Sequence, residues 1–239
     1  MMRFSYLLCT VTLLCYVYGC ASAIFTIKNN CPYTIWPATL TSRRGSILTG
    51  FELESQATAT LNAPVGWSGR IWARSACSYS EGRFKCLAGD CGSGQVACNG
   101  AGGAPPVSLI EFTLNGDGNK DYYDISLVDG FNFPLSVAPR GGCPTAVCPV
   151  NINNRGCPPE LAEGDGRGGI IGCKSACIAF NQTQYCCTEQ FGTPKTCKPS
   201  FYSEFFKRHC PQAYSYAYDD KSSLFTCPSG GNYLVTFCP

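Results

Sequence analysis

The sequence is short of charge. Only 14% of its 239 residues are Asp, Glu, Lys or Arg, well under the ~25% usual in soluble domains. Its 18 basic and 16 acidic residues leave a formal net charge of +2. Such an even balance supplies no basic field, which argues against nucleic acid or an anionic membrane as a charge-driven partner. Histidine is scarcer still: with His209 alone, histidine-rich metal sites and His-dependent triads lack their material, and neither a metal nor a cofactor is expected. Long hydrophobic runs are missing beyond the start. The apolar stretch at residues 4–18 is ~15 residues long against the ~20 needed to span a bilayer. Preceded by Arg3 and followed by Gly19-Cys20-Ala21-Ser22-Ala23, it reads as a secretory leader, residues 1–23, with cleavage after Ala23 or after Ser22. A soluble, exported chain without a lipid anchor is expected.

What the chain has in abundance is cysteine. Removing the leader takes Cys9, Cys15 and Cys20 from the 19 and leaves 16, an even number suited to eight disulfides in an oxidising compartment. Zinc is disfavoured, because Cys148-Pro-Val and Cys210-Pro-Gln are not followed by a second Cys at knuckle spacing. With 45% hydrophobic residues the chain has enough apolar surface to fold rather than stay disordered.

Short β-branched and aromatic runs between turn signals predict strands at Phe25-Thr26-Ile27-Lys28, Tyr33-Thr34-Ile35-Trp36, Ala57-Thr58-Ala59-Thr60-Leu61 and Arg70-Ile71-Trp72-Ala73-Arg74. Further strands are expected at Leu109-Ile110-Glu111-Phe112-Thr113-Leu114, at residues 122–128 and at residues 232–237. A helical period is confined to residues 200–210 and 174–180. The fold class is therefore all-β: a β-sandwich core from residues 24–74, 107–149 and 211–239, carrying two disulfide-rich regions. One is small, residues 75–106, Gly-rich with hardly any strand pattern. The other is a loop and short-helix region at residues 150–210. Neither can build a large core without crosslinks. Asn181-Gln182-Thr183 is a glycosylation sequon.

Sixteen cysteines permit roughly two million pairings, so spacing alone leaves connectivity open beyond placing adjacent Cys186 and Cys187 in different bridges. The run GRFKCLAGDCGSGQVAC at residues 82–98 closely resembles the signature of the thaumatin-like proteins, a pathogenesis-related family that includes osmotin and fruit allergens. Asn30-Cys31-Pro32-Tyr33-Thr34, residues 122–132, Cys210-Pro-Gln-Ala-Tyr-Ser-Tyr and the terminal Val-Thr-Phe-Cys-Pro extend the resemblance over the mature chain. It implies the bridges Cys31–Cys238, Cys77–Cys86, Cys91–Cys98, Cys143–Cys227, Cys148–Cys210, Cys157–Cys173, Cys177–Cys186 and Cys187–Cys197. Ala88 stands where the signature more often has Thr, and Gln212 where many members have Asp. The Cys157–Cys173 and Cys187–Cys197 loops look longer than in thaumatin itself, and its strongly basic surface is missing, so sweet taste is not carried over.

The resemblance also implies a cleft lined by one arginine and four acids, matched here by Arg70, Glu111, Asp124, Asp129 and Asp220, the last in a register shared with Asp219. Carboxylates accept hydrogen bonds from sugar hydroxyls, and Tyr123, Phe131 and Tyr218 are expected to offer apolar faces to pyranose rings. A pair of carboxyls could also hydrolyse a glycosidic bond, with Glu111 as acid and Asp124 or Asp129 as its counterpart. Taken singly, each has a plain structural explanation. Asp129-Gly130 is a turn signal, Asp219-Asp220 suits a solvated loop, and Arg70 suits an exposed strand position. Strand alternation sets Asp124 and Asp129 on opposite faces unless the strand ends first. His209 reads as a helix-end partner rather than a catalyst, and Phe201, Tyr202, Phe205 and Phe206 as one helix packing face.

The expected function is that of a secreted antifungal defence protein of the apoplast or cell wall, monomeric, binding β-1,3-glucan in the acidic cleft. Competing readings are a weak endo-β-1,3-glucanase, membrane contact leading to permeabilisation, and a storage role.

Overall fold

The computed structural model describes residues 21–239. The expected leader lies outside them, with Cys9, Cys15 and Cys20, except for residues 21–23, which open the first strand. Thirteen strands are described: β1 (Ala21–Asn29), β2 (Trp36–Arg43), β3 (Thr58–Pro64), β4 (Ser68–Ser80), β5 (Arg83–Ala88), β6 (Leu109–Thr113), β7 (Lys120–Ser126), β8 (Leu135–Arg140), β9 (Ala146–Cys148), β10 (Ala162–Gly164), β11 (Ile170–Cys173), β12 (Phe225–Pro228) and β13 (Asn232–Phe237). Four short helices, α1 (Ala176–Phe180), α2 (Thr183–Cys186), α3 (Phe201–His209) and α4 (Asp220–Ser223), lie in the second half.

One sheet runs β3-β1-β13-β8-β9 and the other β12-β7-β6-β4-β2, with β5 paired to the far end of β4. The first and last strands, β1 and β13, are parallel neighbours. Alternation along each strand sends one set of side chains inward, where the two sheets meet. Phe25 of β1 is fully buried, its ring 4.6 Å from Phe112 of β6, 5.5 Å from Trp67 and 5.9 Å from Tyr233. Ile27, Ile71, Ile110, Ile125 and Val235 complete the same layer, each fully buried aliphatic side chain contributing about 1.5–3 kcal/mol. The eight disulfides are present, joining Cys31–Cys238, Cys77–Cys86, Cys91–Cys98, Cys143–Cys227, Cys148–Cys210, Cys157–Cys173, Cys177–Cys186 and Cys187–Cys197.

Two segments differ from the strand reading of the sequence. Residues 33–35 form a loop, with a bridge only at Ile35–Leu53 before β2 begins at Trp36. The cause is buried Asn29. Its amide donates to the carbonyls of Tyr33, Leu53 and Glu54, and its oxygen accepts from the Cys31 N–H, so the chain is bent there rather than extended. Residues 75–88, where little strand pattern is visible, continue β4 to Ser80 and return as β5. Buried Arg74 props this hairpin against the Cys91–Cys98 loop by donating to the carbonyls of Trp36 and Val96. Burial lowers its pKa to about 10, opposed by Asp90.

Helix α3 follows a Ser200/Ser203 capping box and ends in Lys207, Arg208 and His209. Phe205 and Phe206 are buried and Tyr202 packs beside them, but Phe201 is 69% exposed, so the packing face holds three aromatics rather than four. The His209 ring lies one turn from its hydrogen-bond partner, the Phe205 carbonyl, at 2.9 Å.

Candidate acidic cleft

The registers of three neighbouring strands build the floor of the site. Arg70 of β4 pairs with Glu111 of β6, and Glu111 with Asp124 of β7. On these strands Ile71, Ile110, Phe112, Tyr123 and Ile125 point into the sandwich, so Arg70, Glu111 and Asp124 share the opposite face in one row. Arg70 Nε lies 3.1 Å from Glu111 Oε1.

Asp129 reaches the same place by a different route. Strand β7 ends at Ser126, and the Gly130 N–H donates to the Leu127 carbonyl to close a turn. Gly130 has φ +95°, and a Cβ there would sit 2.6 Å from the Cys173 carbonyl oxygen, so both conformation and space demand glycine. The turn brings Asp129 Oδ2 to 3.9 Å from Arg70 Nη1. Alternation would have separated Asp124 from Asp129; ending the strand between them removes that obstacle.

The facing wall is the segment before α4. Residue Tyr214 exchanges backbone hydrogen bonds with Ile125 and Leu127, and its phenol donates to Asp220 Oδ1 at 2.9 Å. Asp219 is occupied elsewhere, accepting from Ser215 and Ser222 and pairing with Lys207 Nζ at 2.7 Å. Lys207 also donates to the carbonyls of Pro211 and Ala213 and to the hydroxyls of Ser222 and Ser223, pinning the wall to α3. The geometry thus separates the two adjacent acids: Asp220 faces the cleft, Asp219 anchors its wall.

The result is a cleft of about 350 Å³ lined by Arg70, Glu111, Asp124, Asp129 and Asp220, with Leu109, Val128, Tyr214 and Ala217 supplying apolar surface. A second recess of about 280 Å³ shares Arg70, Glu111 and Asp124 and continues toward Tyr122 and Leu224. The aromatics expected to face a sugar are elsewhere. Tyr123 and Phe131 are fully buried in the core, Tyr123 donating its hydroxyl to the Pro144 carbonyl, and Tyr218 is not among the residues lining the cleft. The inward phase of β7 that points Asp124 outward necessarily buries Tyr123. Tyr214, carried in the Cys210-Pro-Gln-Ala-Tyr segment, is the aromatic that the sequence reading missed.

Electrostatics single out Asp124. Its carboxyl pKa is raised well above the usual range by burial and by the charges of Glu111 and Asp220, and its Oδ1 is buried without a hydrogen-bond partner. Glu111 is raised by burial too, but Arg70 opposes the shift, while Asp129 adds to it. Burial and the bond to Asp220 raise the Tyr214 phenol as well. The floor therefore presents a carboxyl whose ionised form is disfavoured beside a carboxyl whose ionised form a guanidinium favours. Outside this site, Asn181 of the sequon is exposed in a left-handed cap after α1.

A model described as the thaumatin family matches residues 29–239. Thaumatin-like protein 1 of Pyrus pyrifolia is 58% identical over 92% of this chain and 93% of its own. A glucan endo-1,3-beta-glucosidase of Prunus avium is 53% identical over 92% of each chain, and pathogenesis-related protein 5 of Arabidopsis thaliana is 51% identical over 90% of each. Among solved structures, a laminaripentaose-producing β-1,3-glucanase in complex with laminaritetraose superposes with a TM-score of 0.63 over 92% of this chain and 99% of that one. At 13% identity this likeness shows a shared fold.

Proposed function

The chain belongs to the thaumatin family, and from that premise we propose that it is an exported, antifungal defence protein that binds β-1,3-glucan in the acidic cleft. The observation that carries this reading is the convergence of Arg70, Glu111, Asp124, Asp129 and Asp220, from four separate segments, on one cleft. Its volume of about 350 Å³ falls in the ~300–1,000 Å³ range of ligand sites, and the adjoining recess lengthens it to suit an oligosaccharide chain. Four carboxyls against one guanidinium select a ligand rich in hydroxyl donors and free of negative charge, which describes a neutral glucan. Leu109, Val128 and Tyr214 offer surface to the C–H faces of its rings. Relatives named as a β-1,3-glucosidase and as a pathogenesis-related protein support the reading, as does the fold shared with a laminaritetraose-bound glucanase. Eight disulfides suit an oxidising, extracellular compartment.

A second reading, slow hydrolysis, is favoured by Asp124 alone. A buried carboxyl whose proton is held more tightly than usual, with an unpartnered oxygen, is suited to give that proton to a glycosidic oxygen, with Glu111 or a facing aspartate assisting attack of water at the anomeric carbon. These roles reverse the sequence expectation, in which Glu111 is the acid, because Arg70 favours the ionised form of Glu111. Calorimetric titration of laminari-oligosaccharides into the disulfide-intact protein tests binding, with weaker binding expected for Glu111→Gln and Asp220→Asn. Absence of binding by the wild type would overturn the proposal. Reducing-sugar release from laminarin that disappears in Asp124→Asn while binding persists would support turnover; binding without release would restrict the site to recognition.

A further inference from the structure

A second groove, of about 540 Å³, lies between the β4–β5 hairpin and the β10–β11 hairpin and shares no lining residue with the acidic cleft. We propose that this groove binds an acidic polysaccharide, a polymer bearing uronate carboxylates, through Lys85 and Arg167.

The β4–β5 register sets Ser78 opposite Lys85 and Ser80 opposite Arg83. Strand β5 buries Phe84, Cys86 and Ala88 and exposes Arg83, Lys85 and Leu87. The open face of the hairpin is thus a floor of two exposed hydroxyls edged by cations, with Leu87 at one end 55% exposed. Arg167 rises from the turn between β10 and β11 on the other side of the groove, next to Ile171. Lys85, Arg83 and Arg167 have no carboxylate within 4 Å and donate no side-chain hydrogen bond among the described residues. The acid nearest to them in the groove, Asp165, is spent on its own turn: its Oδ1 accepts from the backbone N–H groups of Arg167 at 2.7 Å and Gly169 at 2.8 Å. Asp165 therefore fixes the turn that presents Arg167 and offsets only part of the positive charge.

Lys85 and Arg167 line one concavity without an ion pair within 4 Å, Asp165 offsetting part of the Arg167 charge from its own turn, so the groove keeps net positive charge that a bound anion would neutralise. The remaining chemistry narrows the anion. Ser78 and Ser80 match the hydroxyls of a sugar, Leu87 and Ile171 match the C–H face of its ring, and a cation on each rim offers a partner to the carboxylates that such a chain carries. A flat membrane surface would meet the hairpin rims before it reached the floor.

The test uses the intact protein at low ionic strength and polygalacturonate as the probe, measured by calorimetry or affinity electrophoresis. Wild type is expected to bind, with each of Lys85→Gln and Arg167→Gln weakening binding by up to about fivefold, the scale of one exposed charge pair. Lys85→Glu should abolish it, and both positions are exposed enough that folding is retained. Asp124→Asn and saturating laminari-oligosaccharide should leave polygalacturonate binding unchanged, which separates this groove from the acidic cleft. Failure of the wild type to bind, or equal binding by the Lys85→Gln/Arg167→Gln double variant, would overturn the proposal. So would loss of binding to phosphatidylserine vesicles in that variant with no polygalacturonate binding by the wild type, which would reassign the groove to membranes.

Discussion

Replacing Asp124 by Asn removes one negative charge from the cleft floor while keeping the size of the side chain. Directly opposed cross-strand neighbours such as Glu111 and Asp124 hold their Cβ atoms about 5 Å apart. Two unit charges at that distance repel by about 3 kcal/mol at an effective dielectric of 20. Burial, the first cause of the raised pKa, adds to this repulsion and Arg70, 3.1 Å from Glu111, offsets part of it, which leaves a penalty of at least about 1–2 kcal/mol for ionising Asp124 in the folded state. The sign follows from the raised carboxyl pKa. At pH 3 the side chain is protonated both folded and unfolded, and nothing is lost. As pH rises past the unfolded carboxylate value of about 3.9, the unfolded chain releases its proton first, so stability falls until the folded carboxyl also ionises and stays constant above that point. Asp124→Asn lacks this loss. Thermal unfolding of the disulfide-intact protein should therefore show no difference at pH 3 and a higher Tm for the variant at pH 8. At ~2–4 °C per kcal/mol for a chain of this size, the gain is about 2–8 °C. An equal gain at both pH values, or none at pH 8, would refute the argument that burial and its neighbours' charge disfavour ionised Asp124.

Arg70→Gln should push the Glu111 carboxyl pKa higher still, read by NMR titration, and lower stability at pH 7 by about 0.2–1 kcal/mol, the range of half-exposed pairs. Lys207→Met should release the wall carrying Tyr214 and Asp220: denaturant unfolding should show a loss of about 1.5–3 kcal/mol, and laminari-oligosaccharide binding should weaken although Lys207 does not line the cleft. Among the bridges, removing Cys31–Cys238, whose partners are 207 residues apart, should cost about 5 kcal/mol by chain entropy, against about 2.5 kcal/mol for Cys91–Cys98 at a separation of 7; guanidinium unfolding of the paired Ala variants checks the order. Laminari-oligosaccharide binding should be nearly independent of salt, while polygalacturonate binding should fall steeply between 10 and 200 mM NaCl, because about 8–10 Å of screening length at physiological salt removes most of the attraction of exposed cations; equal salt slopes would contradict the two-site division.

The sandwich was legible because alternation and turn chemistry are local signals: β1, β3, β6, β7 and β13 each carry their own period-2 pattern. Residues 33–35 were not, because whether a β-branched run extends or bends was decided by Asn29, whose three acceptors come from the loops at Tyr33 and at Leu53 and Glu54. The β5 strand was hidden for the opposite reason. Its outward positions are Arg83, Lys85 and Leu87 within a Gly- and Cys-rich stretch, and its partner is the overhang of β4 rather than a core strand. At the cleft, each acid could be named from its motif, but the choice between Asp219 and Asp220 depended on what Lys207 and Tyr214 hold. The aromatic faces were misjudged because a residue's neighbourhood in sequence says nothing of its phase: Tyr123 adjoins Asp124 and for that reason points the other way.

The same phase argument explains how a chain with so little charge builds two charged surfaces. On β7 the inward series of Asp121, Tyr123 and Ile125 leaves Lys120, Tyr122, Asp124 and Ser126 on the opposite face, and on β5 the inward series of Phe84, Cys86 and Ala88 leaves Arg83, Lys85 and Leu87. Each exposed charge therefore falls on a predetermined face, and strand register sets its neighbours: Glu111 lies between Arg70 and the like-charged Asp124, while Lys85 and Arg83 lie beside serines that do not neutralise them. Such clusters are unfavourable in the empty protein by the repulsion estimated above for Glu111 and Asp124, so a fold that selected stability alone would intersperse the signs. Eight disulfides supply the margin that lets the fold tolerate them. The formal charge of +2, a sum over 18 basic and 16 acidic residues spread along the whole chain, averages over both surfaces and predicts neither ligand.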